Sequence, residues 1–165
     1  MTPAYRVVPI AEQHIDGFYA VIDEVARERR WLAMLEAPPL EEMRKHVLGN
    51  ISGGVPHFVA LADARVVGWC DCWVKARPTQ RHSAILGMGV VKTHRGQGIG
   101  RALLAATLEA ARAKGLKRIE LAVRVDNESA KKLYDRSGFA VEGVYRRYML
   151  VDGEYKDAYA MALVY

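Results

Sequence analysis

Residues 84–104 constrain this chain more than any other stretch. An apolar, strand-like run from Ala84 to Val91 leads into Lys92-Thr93-His94-Arg95-Gly96-Gln97-Gly98-Ile99-Gly100, and a helix-forming segment rich in Ala and Leu follows from Arg101. A strand that feeds a helix through three alternating glycines builds an anion site from main chain alone. The first amides of a helix have no partner inside it. The helix dipole adds positive potential at the same end, and glycines let a phosphate come close. Arg95 and Arg101 flank the turn and add full charges. The pattern predicts a site for a phosphorylated ligand, most simply a pyrophosphate.

Two well-known phosphate loops do not fit. A nucleoside-triphosphate loop reads GxxxxGK[ST], but Gly96 is followed by Arg101 and no Lys-Ser/Thr pair. A dinucleotide fingerprint, GxGxxG, needs glycine at 101 or 103, where Arg101 and Leu103 stand. The acid expected about 20 residues on falls at Glu120, inside a strand-like run. The pattern that fits is Arg-x-x-Gly-x-Gly, Arg95 to Gly100. A second block, Leu121 to Gly143, carries the skeleton Val125, Asn127, Ala130, Leu133, Tyr134, Gly138 and Phe139. Together the blocks resemble the two signature segments of the GNAT superfamily of N-acetyltransferases, in family order and spacing. The resemblance covers about residues 58–165; the N-terminal third matches in architecture alone.

The resemblance implies acetyl-CoA as co-substrate and a primary amine as acceptor. It assigns the pyrophosphate to Arg95, Gly96, Gln97, Gly98, Ile99, Gly100 and Arg101. It gives the pantetheine arm and the thioester oxygen to the main chain of Met88, Gly89 and Val90. Gly87 and Gly89, in a strand that glycine weakens, point to a bulge or a close backbone approach. Asn127 is implied to bond the pantetheine arm, and serves equally as a helix N-cap. Tyr134, seven residues on and on the same helical side, is implied as the general acid for the leaving thiolate. The general base stays open among Asp71, His82, Glu120, Glu28 and a bound water.

The C-terminal half further resembles a branch that includes bacterial L-amino-acid N-acetyltransferases, with protein N-terminal acetyltransferases nearby. The α-amine of a free amino acid is the expected acceptor, and a peptide N-terminus is the alternative. A non-catalytic acyl-CoA sensor of the same fold is the rival class; intact Tyr134 and Asn127 argue for the enzyme. Trp31, Met34, Tyr145 and Tyr148 are candidates to line the acceptor pocket. Arg77, Arg81 and Arg147 are candidates to hold a carboxylate.

At 165 residues the chain is expected to be one domain, residues 1–165. Hydrophobic residues make up 51% and charged ones 26%, which is ordinary for a globular protein. The net charge of +5 is spread along the chain, so no nucleic-acid tract is expected. No apolar run approaches the roughly 20 residues of a membrane span, and Met1–Ile10 has no leader layout. A cytoplasmic location is therefore expected. Cys70 and Cys72 are too few for a structural zinc site and read as small packing residues. The family's habit of pairing raises the expectation of a homodimer.

Periodicity and turn signals predict the order β-α-α-β-β-β-α-β-α-β-β. The first helix spans about Ala11–Arg30. The second starts after Pro38-Pro39 and ends near Gly49, with Asn50 to Pro56 a loop. A closing hairpin turns at Asp152-Gly153. The expected fold is α/β (α+β), GNAT-like: a mixed, mainly antiparallel sheet of about seven strands flanked by about four helices.

Overall fold

The structure is a computed structural model that describes residues 4–165. Met1–Pro3, the start of the stretch read above for a leader, lie outside the described residues. Seven strands form one sheet in the order β1-β2-β3-β4-β5-β7-β6. They are β1 (Arg6–Pro9), β2 (His57–Ala62), β3 (Arg65–Val74), β4 (Ser83–Val90), β5 (Arg118–Arg124), β6 (Ala140–Val151) and β7 (Glu154–Val164). The helices are α1 (Ile15–Arg27), α2 (Leu40–Ser52), α3 (Ile99–Ala113) and α4 (Glu128–Arg136). Element order and the mainly antiparallel sheet match the expectation, with β4–β5 the one parallel pair. No helix of the described residues is long and apolar enough to cross a membrane.

Two boundaries differ from the sequence reading. Residues 12–14 form a separate 3-10 turn before α1, which starts only at Ile15. The second helix runs through Asn50 to Ser52 instead of stopping near Gly49. Asn50 continues the buried face of Met43 and Val47, so tertiary contacts override its weak helix preference.

The strand β3 is the spine of the core. Opposite β2 it carries one extra residue: Ala60 pairs with Gly68, but Leu61 pairs with Val66, so Val67 is a bulge. Beyond it, side chains alternate between two covered faces. Trp69 meets Phe18 of α1 edge-on at 6.0 Å. On the other face Thr107 of α3 bonds the Cys70 carbonyl at 3.3 Å, and Leu103 closes over Gly68. Cys70 and Cys72 are free and fully buried, in keeping with a packing role. Burial pushes the Cys72 thiol up to about 12 and raises that of Cys70 as well, so neither is a ready nucleophile.

What positions the site is a split in the sheet. Strands β4 and β5 pair only from Ser83↔Arg118 to Ile85↔Glu120. Beyond that, β4 stays with β3 up to Val90 and β5 stays with β7 up to Arg124. The two halves splay apart, and a wedge opens between residues 86–90 and 121–124.

Candidate active site

A cleft of about 1290 Å³ fills this wedge. Met88, Gly89, Val90, Arg95, Gly96, Gly98, Gly100, Arg101, Asn127 and Tyr134 all line it. The cleft thus brings together β4, the glycine turn, the start of α3, and α4 with its N-cap.

One wall is the unpaired edge of β4. The register of β3 and β4 runs unbroken from Gly68↔Val90 to Val74↔Ala84, so of the two readings of Gly87 and Gly89, a bulge or a close approach, no bulge interrupts that ladder. Val91 N–H donates to the Val67 carbonyl at 2.9 Å. By the alternation of an antiparallel ladder, Gly89 then exchanges bonds with Trp69, while the main chains of Met88 and Val90 point away, into the wedge. The Val90 carbonyl is already taken by Arg95 Nε at 2.8 Å. Gly89 is needed for space instead: a Cβ there would lie 2.5 Å from the Trp69 ring.

The floor is the turn into α3. Gly98 is its N-cap in the left-handed region, φ 85°, where a side chain is strained. No side chain caps the helix. The amides of Ile99, Gly100 and Arg101 have no protein acceptor, and the first turn's bonding begins with Ala102 N–H to the Gly98 carbonyl. Such a row of open amides fits an anion. Ile99 offers only its amide, since its side chain is buried in the core. Gln97 does not line the cleft; its side chain reaches back to the Thr93 carbonyl at 3.4 Å.

The two flanking arginines differ. Arg95 forks onto Glu28, with Nη1–Oε2 at 2.9 Å and Nη2–Oε1 at 2.5 Å. The pair offsets its charge and ties the loop to the end of α1, so in this structure its guanidinium is not an unpaired charge at the turn. Arg101 makes no ion pair among the described residues, nor do Lys132 and Arg136, which line the cleft from α4.

Asn127 caps α4, its Oδ1 accepting from Ala130 N–H at 3.2 Å. Tyr134 is buried, and its hydroxyl has no hydrogen-bond partner in the protein although it is not sealed from the cleft. Burial, with the nearby Cys70 sulfur, raises its pKa well above the usual phenol value. It stays protonated through the neutral range and has a proton to give.

The far end of the cleft is apolar and aromatic. Trp31, Met34 and Tyr148 line it; Tyr145 does not, but stacks on Tyr148 at 5.3 Å. Trp31 is gripped by the guanidinium of Arg30 at 4.5 Å. Arg77 and Arg81 lie outside the lining, and Arg147 opens onto a separate hollow with Arg146 and Asp157. Arg124 lines the cleft but is saturated by Asp126 and the Arg30 carbonyl.

Of the base candidates, only Asp71 lines the cleft. Glu28 is held by Arg95, Glu120 by Lys75 and Arg118, and His82 is exposed elsewhere. The sequence reading missed His46, which faces Asp71. Its signal was a polar residue in line with Met43, Val47 and Asn50 at helical spacing.

The chain is similar to known proteins. The sequence model of the Acetyltransferase (GNAT) family matches residues 18–139. The L-amino acid N-acetyltransferase AaaT of Escherichia coli is 39% identical over 112 residues, 67% of this chain and 69% of that protein. N-alpha-acetyltransferase 30 of Schizosaccharomyces pombe is 37% identical over 94 residues, 56% of this chain and 63% of that protein. The crystal structure of a phosphinothricin acetyltransferase from Sinorhizobium meliloti, in complex with AcCoA, superposes with a TM-score of 0.89 at 20% identity, covering 98% of this chain and 88% of that one.

Proposed function

The chain belongs to the acetyltransferase (GNAT) family, and from that premise we propose that its cleft transfers the acetyl group of acetyl-CoA to a primary amine. The observation that carries this reading is the row of open amides at Ile99, Gly100 and Arg101, set beside the unpaired edge of β4. The first is a seat for a pyrophosphate. The second is a strand edge on which an amide-bearing pantetheine arm can lie as an added strand. Arg101 and the α4 cations Lys132 and Arg136 supply the remaining charge. Bound there, acetyl-CoA supplies the activated acetyl group. The Met88 and Val90 amides, which point into the wedge, would be free to bond the thioester oxygen, and Tyr134 would give a proton to the departing sulfur.

The acceptor end is built for an apolar or aromatic group. The α-amine of such an amino acid is the proposed acceptor, in line with the likeness to AaaT. One observation favours a peptide N-terminus instead: among the described residues no unpaired cation lines the apolar end beside Trp31, Met34 and Tyr148, because Arg124 is spent on Asp126. Comparing phenylalanine with phenylalaninamide decides. Recognition of a free carboxylate makes the amide worse by about 1.5–3 kcal/mol, the worth of a charged hydrogen bond. Equal or better rates on the amide select the N-terminal reading.

A further inference from the structure

We propose that Asp71, backed by His46, takes the proton from the incoming ammonium group; this rests on the acetyl-transfer reading above.

Asp71 sits opposite Gly87 in the β3–β4 register, two residues before Gly89. Its Oδ1 lies 3.3 Å from where a Cβ on Gly87 would stand, so the glycine leaves that oxygen uncovered. Its Oδ2 accepts from Trp73 Nε1 at 2.8 Å and lies 3.6 Å from His46 Nε2. The side chain is only 5% exposed, yet no arginine or lysine pairs with it. Of the nearby carboxylates, Glu28, Glu120 and Asp126 each have a fixed cation, and Glu42 is exposed to solvent. A buried carboxylate without a cation is costly, and an ammonium group arriving from the apolar end supplies one.

The surroundings let the proton leave. His46 is partly exposed, packs against Trp73 with ring centres 4.6 Å apart, and contacts Asn50 at 3.2 Å; Asn50 in turn contacts His57. Burial lowers His57 to about 4, against a smaller opposing pull from Asp71. It is neutral at pH 7 and does not compete for the proton. The other titratable groups around Asp71 are Glu42 of α2, exposed at the same cleft, and the buried thiols of Cys70 and Cys72.

The step balances with these groups alone. The ammonium gives one proton to Asp71, which passes it through His46 to solvent. The amine lone pair then forms the C–N bond as the C–S bond breaks. The second N–H proton leaves the nitrogen as the sulfur takes one from Tyr134, and Tyr134 is restored by that second proton. Net products are the amide, the free thiol and one proton.

The test uses Asp71→Asn, which keeps the shape and an oxygen for Trp73, and His46→Gln. Thiol release is followed with phenylalanine or its amide, whichever the wild type acetylates faster, at about pH 7 and about pH 10, where the amine is mostly neutral. Asp71→Asn should lower kcat/KM roughly 100-fold at the lower pH, within the range for general bases, and recover to within about fivefold of wild type at the higher. His46→Gln should show a smaller loss with the same recovery. Acetyl-CoA affinity, read by calorimetry, should stay unchanged. A loss equal at both pH values, or within about threefold at pH 7, overturns the assignment. Absence of thiol release from the wild type with every amine overturns the transferase reading, and the pair then has no proton to take.

Discussion

Arg95 and Glu28 join the glycine turn to the C-terminal end of α1 through a two-pronged ion pair, 2.9 and 2.5 Å long. The same guanidinium holds the last carbonyl of β4. One side chain thus fixes the relative positions of β4, the glycine turn and α1. A lysine has no fork to span these partners. Arg95→Lys should therefore destabilise the ligand-free protein by about 1.5–3 kcal/mol, measured by urea unfolding. An arginine that served only a phosphate would leave the ligand-free protein unchanged.

The open amides call for a substitution that spares the backbone. Gly98 sits at φ 85°, so any side chain there strains the turn and confuses binding with folding. A Cβ on Gly100 meets nothing closer than Met88 Cε at 3.5 Å. Gly100→Asp should fold, yet place a carboxylate among amides that await a phosphate. Its acetyl-CoA affinity should fall on the order of 100-fold, about 2.7 kcal/mol. Calorimetry showing wild-type affinity would remove the turn from the site.

Tyr134→Phe removes a hydroxyl that has no partner in the protein. Stability should change little, and acetyl-CoA binding should stay within a few-fold. Turnover should fall roughly 10–1000-fold if the phenol supplies the thiolate's proton. Single-turnover rates check this, and an unchanged chemical step would exclude the role.

His57 makes stability depend on pH. Burial lowers it to about 4 in the folded protein, against about 6.5 when unfolded. Below about pH 6.5 the unfolded chain takes up a proton that the folded one refuses, so stability falls as pH drops to about 4 and then levels off. The full loss is on the order of 3 kcal/mol. Urea unfolding at pH 7 and pH 4 should show it, and His57→Leu should remove much of the difference. A pH-independent midpoint in the wild type would contradict the buried, neutral imidazole.

The order of elements is legible in the sequence because each carries a strong local signal. The turn residues Asp63-Ala64 and Asp152-Gly153 adopt positive φ between runs of strand period, and Asn127 caps α4 in fact. The glycine turn with its open amides is legible because its glycines act through local backbone geometry. What is hidden depends on partners distant in sequence. Gly89 reads as a bulge or a close backbone approach, and that it is the Trp69 ring lying where a side chain would be is not visible in the sequence. The ion pair of Arg95 with Glu28, 67 residues away, has no local signal. His46 and Asp71 come together only through the packing of α2 on β3, which no local pattern specifies.

The most direct test is thiol release from acetyl-CoA by the purified protein, across a panel of free amino acids, amino-acid amides, peptides, polyamines and aminoglycosides. The account predicts release that depends on an added amine, with the product carrying one acetyl group on nitrogen by mass spectrometry, strongest for apolar or aromatic α-amines. Tight acetyl-CoA binding with no release above the amine-free rate for any acceptor would contradict it and mark the protein as a sensor built on the same fold.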